Sequence, residues 1–432
     1  MDVQRASCPV SPGSRVAVVG AGIAGLASAY LLARRHQVTL FEASGYAGGH
    51  ANTVDVELDG FTHPVDTGFL VFNDRTYPNL IALFDELGVA SHASDMTFSV
   101  SLDHGRLEWA GTNLNTVFAQ RRNMLSPSFL AMLRDIMRFN SAAETHLAAA
   151  CASGCSVDDL LTAGRYGAPF RQHYLLPMAA AIWSCATSDV LRFPAATFLR
   201  FCLNHALLQV SQRPRWKTVA GGAREYVRRI AATLDNVRTN APVFAVRRAH
   251  DGVLIASGSG WEHFDAAVLA THAPDTLRLL EDPDHDERCV LGAIRYQPNV
   301  AWLHTDAALL PRRERVWSAW NYVSHGTSGM RPVCVSYLIN RLQPLPFSRP
   351  VIVTLNPSRP PSRETILKRF DYDHPLLDSA AVAAQTHLPS LQGVRRTWFA
   401  GAWTGYGFHE DGLKSALRVA GDFGVEPAWS VR

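Results

Sequence analysis

The chain has 432 residues, 47% of them hydrophobic and 18% charged, with a formal net charge of +3 at neutral pH. This is a globular composition for two or three domains, with apolar residues enough for a large core and an apolar ligand cavity, and too little charge to hold nucleic acid. The seven cysteines are odd in number, scattered and without a C-x-x-C pair, which argues against a disulfide framework or a metal site and for a reducing compartment.

Residues 2–14 carry Pro9, Pro12 and Gly13 and read as a short disordered lead without a signal peptide; no stretch is expected to span a bilayer, and a cytoplasmic location follows. Val16–Val19 is an apolar run, followed by Gly20-Ala21-Gly22-Ile23-Ala24-Gly25, a small-residue helical pattern to Ala33, and a β-like run over Gln37–Glu42. That strand–turn–helix–strand unit is of the dinucleotide-binding kind. Gly20 allows the tight turn, Gly22 lets backbone approach a pyrophosphate, and Gly25 lets helix and strand pack closely. Ile23 and Ala24 open the helix, whose N-terminal N–H groups and dipole suit phosphate. Glu42, followed by Ala43, is placed to accept hydrogen bonds from ribose hydroxyls.

Gly48-Gly49, before His50, lets a loop pass close to something bulky. Thr53–Leu58 and Phe61–Val65, joined by Asp59-Gly60, read as a hairpin. Asp66–Asn73 adds a glycine turn and an apolar strand. Residues 76–88 read as a helix ending at Gly88, residues 96–110 as paired strands around Asp103-His104-Gly105, and residues 113 to 210 as mostly helical. Within these, 117–139 mixes Arg121, Arg122, Arg134 and Arg138 with leucine, methionine and phenylalanine. The leading reading is a helical cap over a substrate pocket; a second reading is peripheral membrane contact. Trp183 and His205 are candidate substrate contacts, although a histidine on an apolar helix is commonly a hydrogen-bonded core residue.

Trp216–Ala223 leads into a helix, Arg224–Leu234. Strand-like runs follow at Val237–Thr239, Ala241–Arg247, Val253–Ser257 and Phe264–Ala270, with Gly258-Ser259-Gly260 as a hairpin turn. Residues 288–354 read as β-rich, with strands at Asn299–His304, Val316–Val323, Pro332–Asn340 and Pro350–Leu355. Asn356–Arg363 reads as a surface loop, and 364–390 as a short helix, Asp-His-Pro turns and a helix over Ser379–His387. Thr397–Phe399 is then an apolar strand running into a glycine- and aromatic-rich loop, Gly401–Phe408, and a small-residue helix near Asp411. This is a second helix N-terminus aimed at a ligand. Two such turns at opposite ends of one chain exceed the needs of NAD alone and suit an elongated cofactor, FAD.

With those residues in view, the chain resembles the flavin-containing amine oxidoreductase superfamily, which includes monoamine oxidases, protoporphyrinogen oxidase and phytoene-type desaturases. The resemblance rests on Gly20–Glu42, on Gly48-Gly49, on Gly221-Gly222 with Tyr226, and on Phe399-Ala400-Gly401 through Gly412, Ser415 and Ala416. It departs where the family's Arg after the glycine pair is His50, followed by Thr53. It is also similar to a bacterial subfamily of predicted NAD/FAD-binding proteins associated with fatty-acyl modification. The resemblance implies FAD contacts from Gly401, Ala402, Glu410, Asp411, Gly412 and Leu413, and from Val243 through its backbone, in addition to Ala43, Gly48, Gly49, His50 and Thr53. The amine oxidases typically hold a lysine near the flavin; 288–354 contains none, which puts ordinary amine oxidation in doubt. The family's aromatic position before the flavin turn falls closest to His409, a candidate general base or acid near neutral pH, with Trp403, Tyr406 and Phe408 as candidate walls. Glu410 and Asp411 have a competing reading as helix-terminal caps.

The expectation is therefore an α/β chain: a Rossmann-type, GR2-like FAD-binding domain (14–75, 213–290 and 394–425) with a mixed α+β substrate domain (76–212 and 291–393). The expected activity is FAD-dependent removal of hydride from an apolar small-molecule or lipid substrate, with a fatty-acyl chain foremost and oxygen or another acceptor reoxidising the flavin. The rivals are an amine oxidase with a non-lysine base and a non-catalytic flavin-binding partner of a lipid-modifying enzyme.

Overall fold

A computed structural model describes residues 10–209, 213–324 and 334–429. Most of the expected N-terminal lead, the last residue of the helical stretch at 210 and the start of the strand expected at Pro332 lie outside the described residues.

A five-stranded, all-parallel sheet runs in the order Val237–Arg238, Gln37–Phe41, Arg15–Val19, Ala266–Leu269, Thr397–Phe399. Its central strands are near-continuous apolar runs, and Val16, Val18, Leu40 and Val268 are fully buried, as a sheet covered on both faces requires. The helix Ile23–Leu32 follows the first strand through Gly20. A Cβ at Gly25 would sit 1.8 Å from the Gly20 carbonyl oxygen, so only glycine permits this helix–strand approach. The final helix, His409–Asp422, packs on the first at Gly412, where a Cβ would meet Ile23 Cγ2 at 2.7 Å.

A seven-stranded sheet forms the second body, in the order Ile366–Pro375, Tyr296–His304, Ile352–Leu355, Val335–Leu338, Trp320–Ser324, Phe98–Leu102, Leu107–Ala110. Helices between Leu114 and Asn204 cover it, and both contribute to one hydrophobic core. The hairpin Thr53–Leu58/Phe61–Asp66 forms through Asp59 and Gly60, both at positive φ, the geometry of a tight two-residue turn. Asp66 at its end is a joint between distant segments. It accepts from the Thr53 hydroxyl, from the Ala223 N–H at 2.9 Å and from Gln343 Nε2 at 2.9 Å. Burial pushes its pKa up to about 7 against the pull of these donors.

Several elements differ from the sequence reading. Residues 366–375, read as a short helix and turns, form a ten-residue edge strand paired with Tyr296–His304. Its Lys368, Arg369, Asp371 and Asp373 make it look like a loop, yet charge is what an exposed sheet edge carries. The β-rich region expected from residue 288 begins instead within a helix, His285–Ala293, which starts where Asp284 and Glu287 make a reciprocal capping box. The apolar strand expected before Asn73 shrinks to Phe72–Asn73, and that expected over 241–247 begins only at Ala245.

Candidate active site

A cavity of about 750 Å³ runs from the first glycine turn to the helical layer. At one end Gly20, Gly22, Ile23 and Ala24 form its wall, with Glu42, Ala43 and Val243 beside them. No side chain caps the helix at Gly22, and a Cβ added there would meet no protein atom within 4 Å. Open helix N–H groups facing space shaped by glycine are what a bound phosphate requires. The Glu42 carboxylate accepts the Ala21 N–H at 2.8 Å, and from Ser44 the N–H at 2.9 Å and the hydroxyl at 2.7 Å. It thereby pins the turn while still reaching the cavity.

Further along, Gly48, Gly49 and His50 form the wall. The His50 ring stacks on Tyr372 at 4.9 Å and lies 5.1 Å from His374. Its Nε2 is buried without a protein partner, and burial first, then neighbouring histidines, holds its pKa well below the usual value. Tyr372 is rigidly placed. The Thr67 hydroxyl donates to the Asn52 carbonyl at 2.9 Å, so the phenol donates to Thr67 Oγ1 at 2.8 Å and accepts from Asn52 Nδ2 at 2.9 Å. Sequence reasoning missed Tyr372 and His374. The signal was there: Phe370, Tyr372 and His374 recur at every second residue, as one face of a strand does.

The loop after the last strand brings Gly401, Ala402, Trp403, Tyr406, Phe408 and His409 to the same cavity. His409 is only 9% exposed. Its ring stacks on Phe69 at 3.7 Å, its Nε2 meets the Tyr226 hydroxyl at 3.2 Å, and burial pushes its pKa down to about 3. This corrects the expectation of a near-neutral general base: the ring is neutral, weakly basic, and one nitrogen is already engaged.

Six expected cofactor contacts do not form the wall. Thr53 is tied to Asp66 and to the Arg224 N–H at 3.0 Å. Gly25, Gly412 and Leu413 serve helix packing. Asp411 accepts the Phe408 N–H at 3.0 Å and caps its own helix. Glu410 caps a different one: it accepts the Asn79 N–H at 3.1 Å and the Leu80 N–H at 3.0 Å at the start of Pro78–Leu87. Carboxylates in the first turn of a helix are thus spent on orphan N–H groups, their commonest use.

The far end is apolar. Leu70, Val71, Met96, Ile182, Trp183 and Phe201 face Trp320, Tyr337 and Leu355. His205, at the end of helix Ala195–Asn204, also reaches this wall. Its Nδ1 lies 3.1 Å from the Phe201 carbonyl. A carbonyl only accepts, so Nδ1 carries the proton and Nε2 is left as an acceptor. Burial pushes its pKa down to about 4. Phe69, Tyr77, Trp320 and Tyr337 had no local sequence signal, because each comes from a segment whose pattern reads as ordinary core.

The glycine-shaped cradle at one end, the unpartnered His50 Nε2 in the middle and the aromatic loop at the other fit an elongated dinucleotide with a planar ring system. Comparison with known proteins agrees. Over 60 residues the chain is 55% identical to an L-amino-acid oxidase of Pseudechis australis, a stretch covering 14% of this chain and 11% of that protein. Over 146 residues it is 37% identical to a carotenoid phi-ring synthase of Streptomyces griseus, covering 31% and 26%. The fold is similar to a CLA-producing fatty acid isomerase from P. acnes, with a TM-score of 0.68 at 17% identity, covering 96% of this chain and 100% of that one. It is likewise similar to a putrescine oxidase, with a TM-score of 0.65 at 17% identity, covering 96% and 99%. A family model matches residues 23–341. The chain therefore belongs to the flavin containing amine oxidoreductase family, and its cofactor is FAD.

Proposed function

We propose that this FAD-dependent oxidoreductase removes hydride from an apolar substrate, a long acyl chain foremost. The observation that carries this reading is the wall made by the helical layer and the strands Trp320–Ser324, Val335–Leu338 and Ile352–Leu355. Its cavity-lining residues include no Asp, Glu, Lys or Arg. The charged residues that line the cavity, Glu42, Asp275, Arg278 and Asp373, belong to other walls. A substrate ammonium buried against such a surface would lack a counter-charge, at a cost of several kcal/mol on the order usual for a buried ion; an alkyl chain gains about 0.8 kcal/mol per buried CH₂. None of the three lysines, Lys217, Lys368 and Lys414, is on the cavity wall. The partial match to a carotenoid phi-ring synthase supports an apolar substrate.

In this reading the turn at Gly20–Ala24 holds the pyrophosphate, Glu42 the ribose, and the wall at His50, Gly401 and Ala402 the ring system. Bound flavin supplies the hydride acceptor. Trp183, Phe201 and Tyr406 hold the substrate and exclude water, and His205 offers a hydrogen-bond acceptor to a polar group on it. Anaerobic mixing tests the proposal: long-chain acyl substrates are expected to bleach the flavin band near roughly 450 nm. Rapid bleaching by small amines with no response to lipids would replace it with amine oxidation, and bleaching by neither would favour a binding role.

A further inference from the structure

The segment from Leu114 to Phe139 spans a short helix, a 3₁₀ turn and most of the helix Pro127–Ser141, and it carries both buried and strongly exposed apolar side chains. Inward, Phe129, Met132 and Phe139 are buried, as a cap requires. Outward, Leu114 is 76% exposed, Leu125 87%, Met137 60%, Met124 52% and Leu130 44%. Half of the large exposed hydrophobic side chains among the described residues therefore fall within this one stretch. Met124 and Leu125 end the 3₁₀ turn Arg121–Leu125. Leu130, Arg134 and Met137 follow at helical spacing on the exposed face of Pro127–Ser141.

The charge of this face is one-sided. From Trp109 to Arg134 the sequence holds Arg121, Arg122 and Arg134 and no acidic residue. Arg121 donates to Asn115 Oδ1 at 2.5 Å and to the Phe118 carbonyl at 3.1 Å, and Arg122 donates to the Arg106 carbonyl. Neither pairs with a carboxylate among the described residues. Arg134, 75% exposed, reaches Asp135 only at 3.4 Å.

We infer that this face seats on an anionic lipid bilayer, with the leucines and methionines at the acyl boundary and the arginines among the phosphates. Leu114 and Leu125 are exposed by three quarters or more, and apolar tips among arginines of which two pair with no carboxylate among the described residues are the pattern of interfacial binding. The inference is independent of the substrate reading.

Flotation of the full-length, FAD-loaded protein with vesicles tests it. Binding is expected to phosphatidylcholine vesicles containing phosphatidylglycerol, to be several-fold weaker to phosphatidylcholine alone, and to fall with added salt. Met124→Glu with Leu125→Glu is expected to abolish flotation while flavin content and thermal midpoint stay as in the parent. Arg121→Gln and Arg122→Gln are each expected to lower partitioning about fivefold on anionic vesicles only. No flotation with either vesicle, or flotation unchanged by both sets of variants, overturns the inference. So does a dimer that Leu125→Glu dissolves without any vesicle binding, which assigns the face to a second copy. Turnover of a soluble short-chain substrate is expected to be the same in all these variants, so failure here is read separately from failure of the substrate reading.

Discussion

The imidazole of His409 lies face to face with the phenyl ring of Phe69, 3.7 Å apart between centroids and 17° between planes. The contact places a titratable ring beside the cavity, and the burial that comes with it lowers the ring's basicity, because a desolvated imidazole favours the neutral form.

His409→Phe preserves the stack, so it is expected to keep FAD and to hold kcat within about threefold of the parent, on the order of a lost single hydrogen bond. His409→Ala leaves a hole beside Phe69 and is expected to cost about 1–3 kcal/mol of stability. The check is a pH profile of kcat with thermal unfolding. Abolished turnover in His409→Phe with full flavin content would return His409 to the role of base.

Two glycines of the first turn are expected to fail in different ways. Gly22 has an ordinary φ of −71° and open space at its Cβ position, so Gly22→Val is expected to fold and to lose FAD. Gly25→Ala drives a Cβ toward the Gly20 carbonyl and is expected to lower apoprotein stability by several kcal/mol, on the order of a severe packing clash. Absorbance of bound flavin per mole of protein, beside the unfolding midpoint of the apoprotein, separates the two. Equal flavin retention in Gly22→Val would move the phosphate site elsewhere.

Asp66→Asn tests the joint between the hairpin, the helix Arg224–Ala231 and Gln343. Gln343 Oε1 already accepts the Asp66 N–H at 3.0 Å while its Nε2 donates to Asp66 Oδ2. The asparagine must therefore turn its amide nitrogen toward a donor, whichever way it flips. The expected cost is about 1–3 kcal/mol for the unsatisfied group, read by denaturant unfolding. A neutral substitution would mean that the joint tolerates rearrangement.

His205 gives the protein part of its acid sensitivity. Its pKa is near 6.5 when unfolded and about 4 when folded, so below pH 6.5 the unfolded chain binds the extra proton. Its contribution is complete above pH 6.5 and is lost as the pH falls toward 4, at about 1.4 kcal/mol per unit. His205→Phe removes that slope. The stability difference between variant and parent, measured at pH 7 and pH 5, is expected to shift in favour of the variant at the lower pH. A difference independent of pH would show that His205 is protonated in the folded state.

The two ends of the chain were legible before any coordinates. The Gly20–Gly25 turn with its flanking strands, the Asp59-Gly60 hairpin, the Gly88 helix stop and the Gly401–Phe408 loop are local in cause: each rests on steric demands or periodicities that act within a few residues. The sequence by itself thus determined a parallel nucleotide-binding sheet with glycine turns at both ends. Only the tertiary structure decided what those turns enclose. Tyr372 and His374 reach the cavity because an edge strand, masked by its charges, pairs with Tyr296–His304. Glu410 leaves the site because a helix that begins at Pro78 offers it unpaired N–H groups. His409 is only weakly basic because it is buried, with Phe69 and Tyr226, from two other segments, packed against it. Burial, pKa and hydrogen-bond partners depend on the whole surroundings of a group, and sequence spacing carries little of that information.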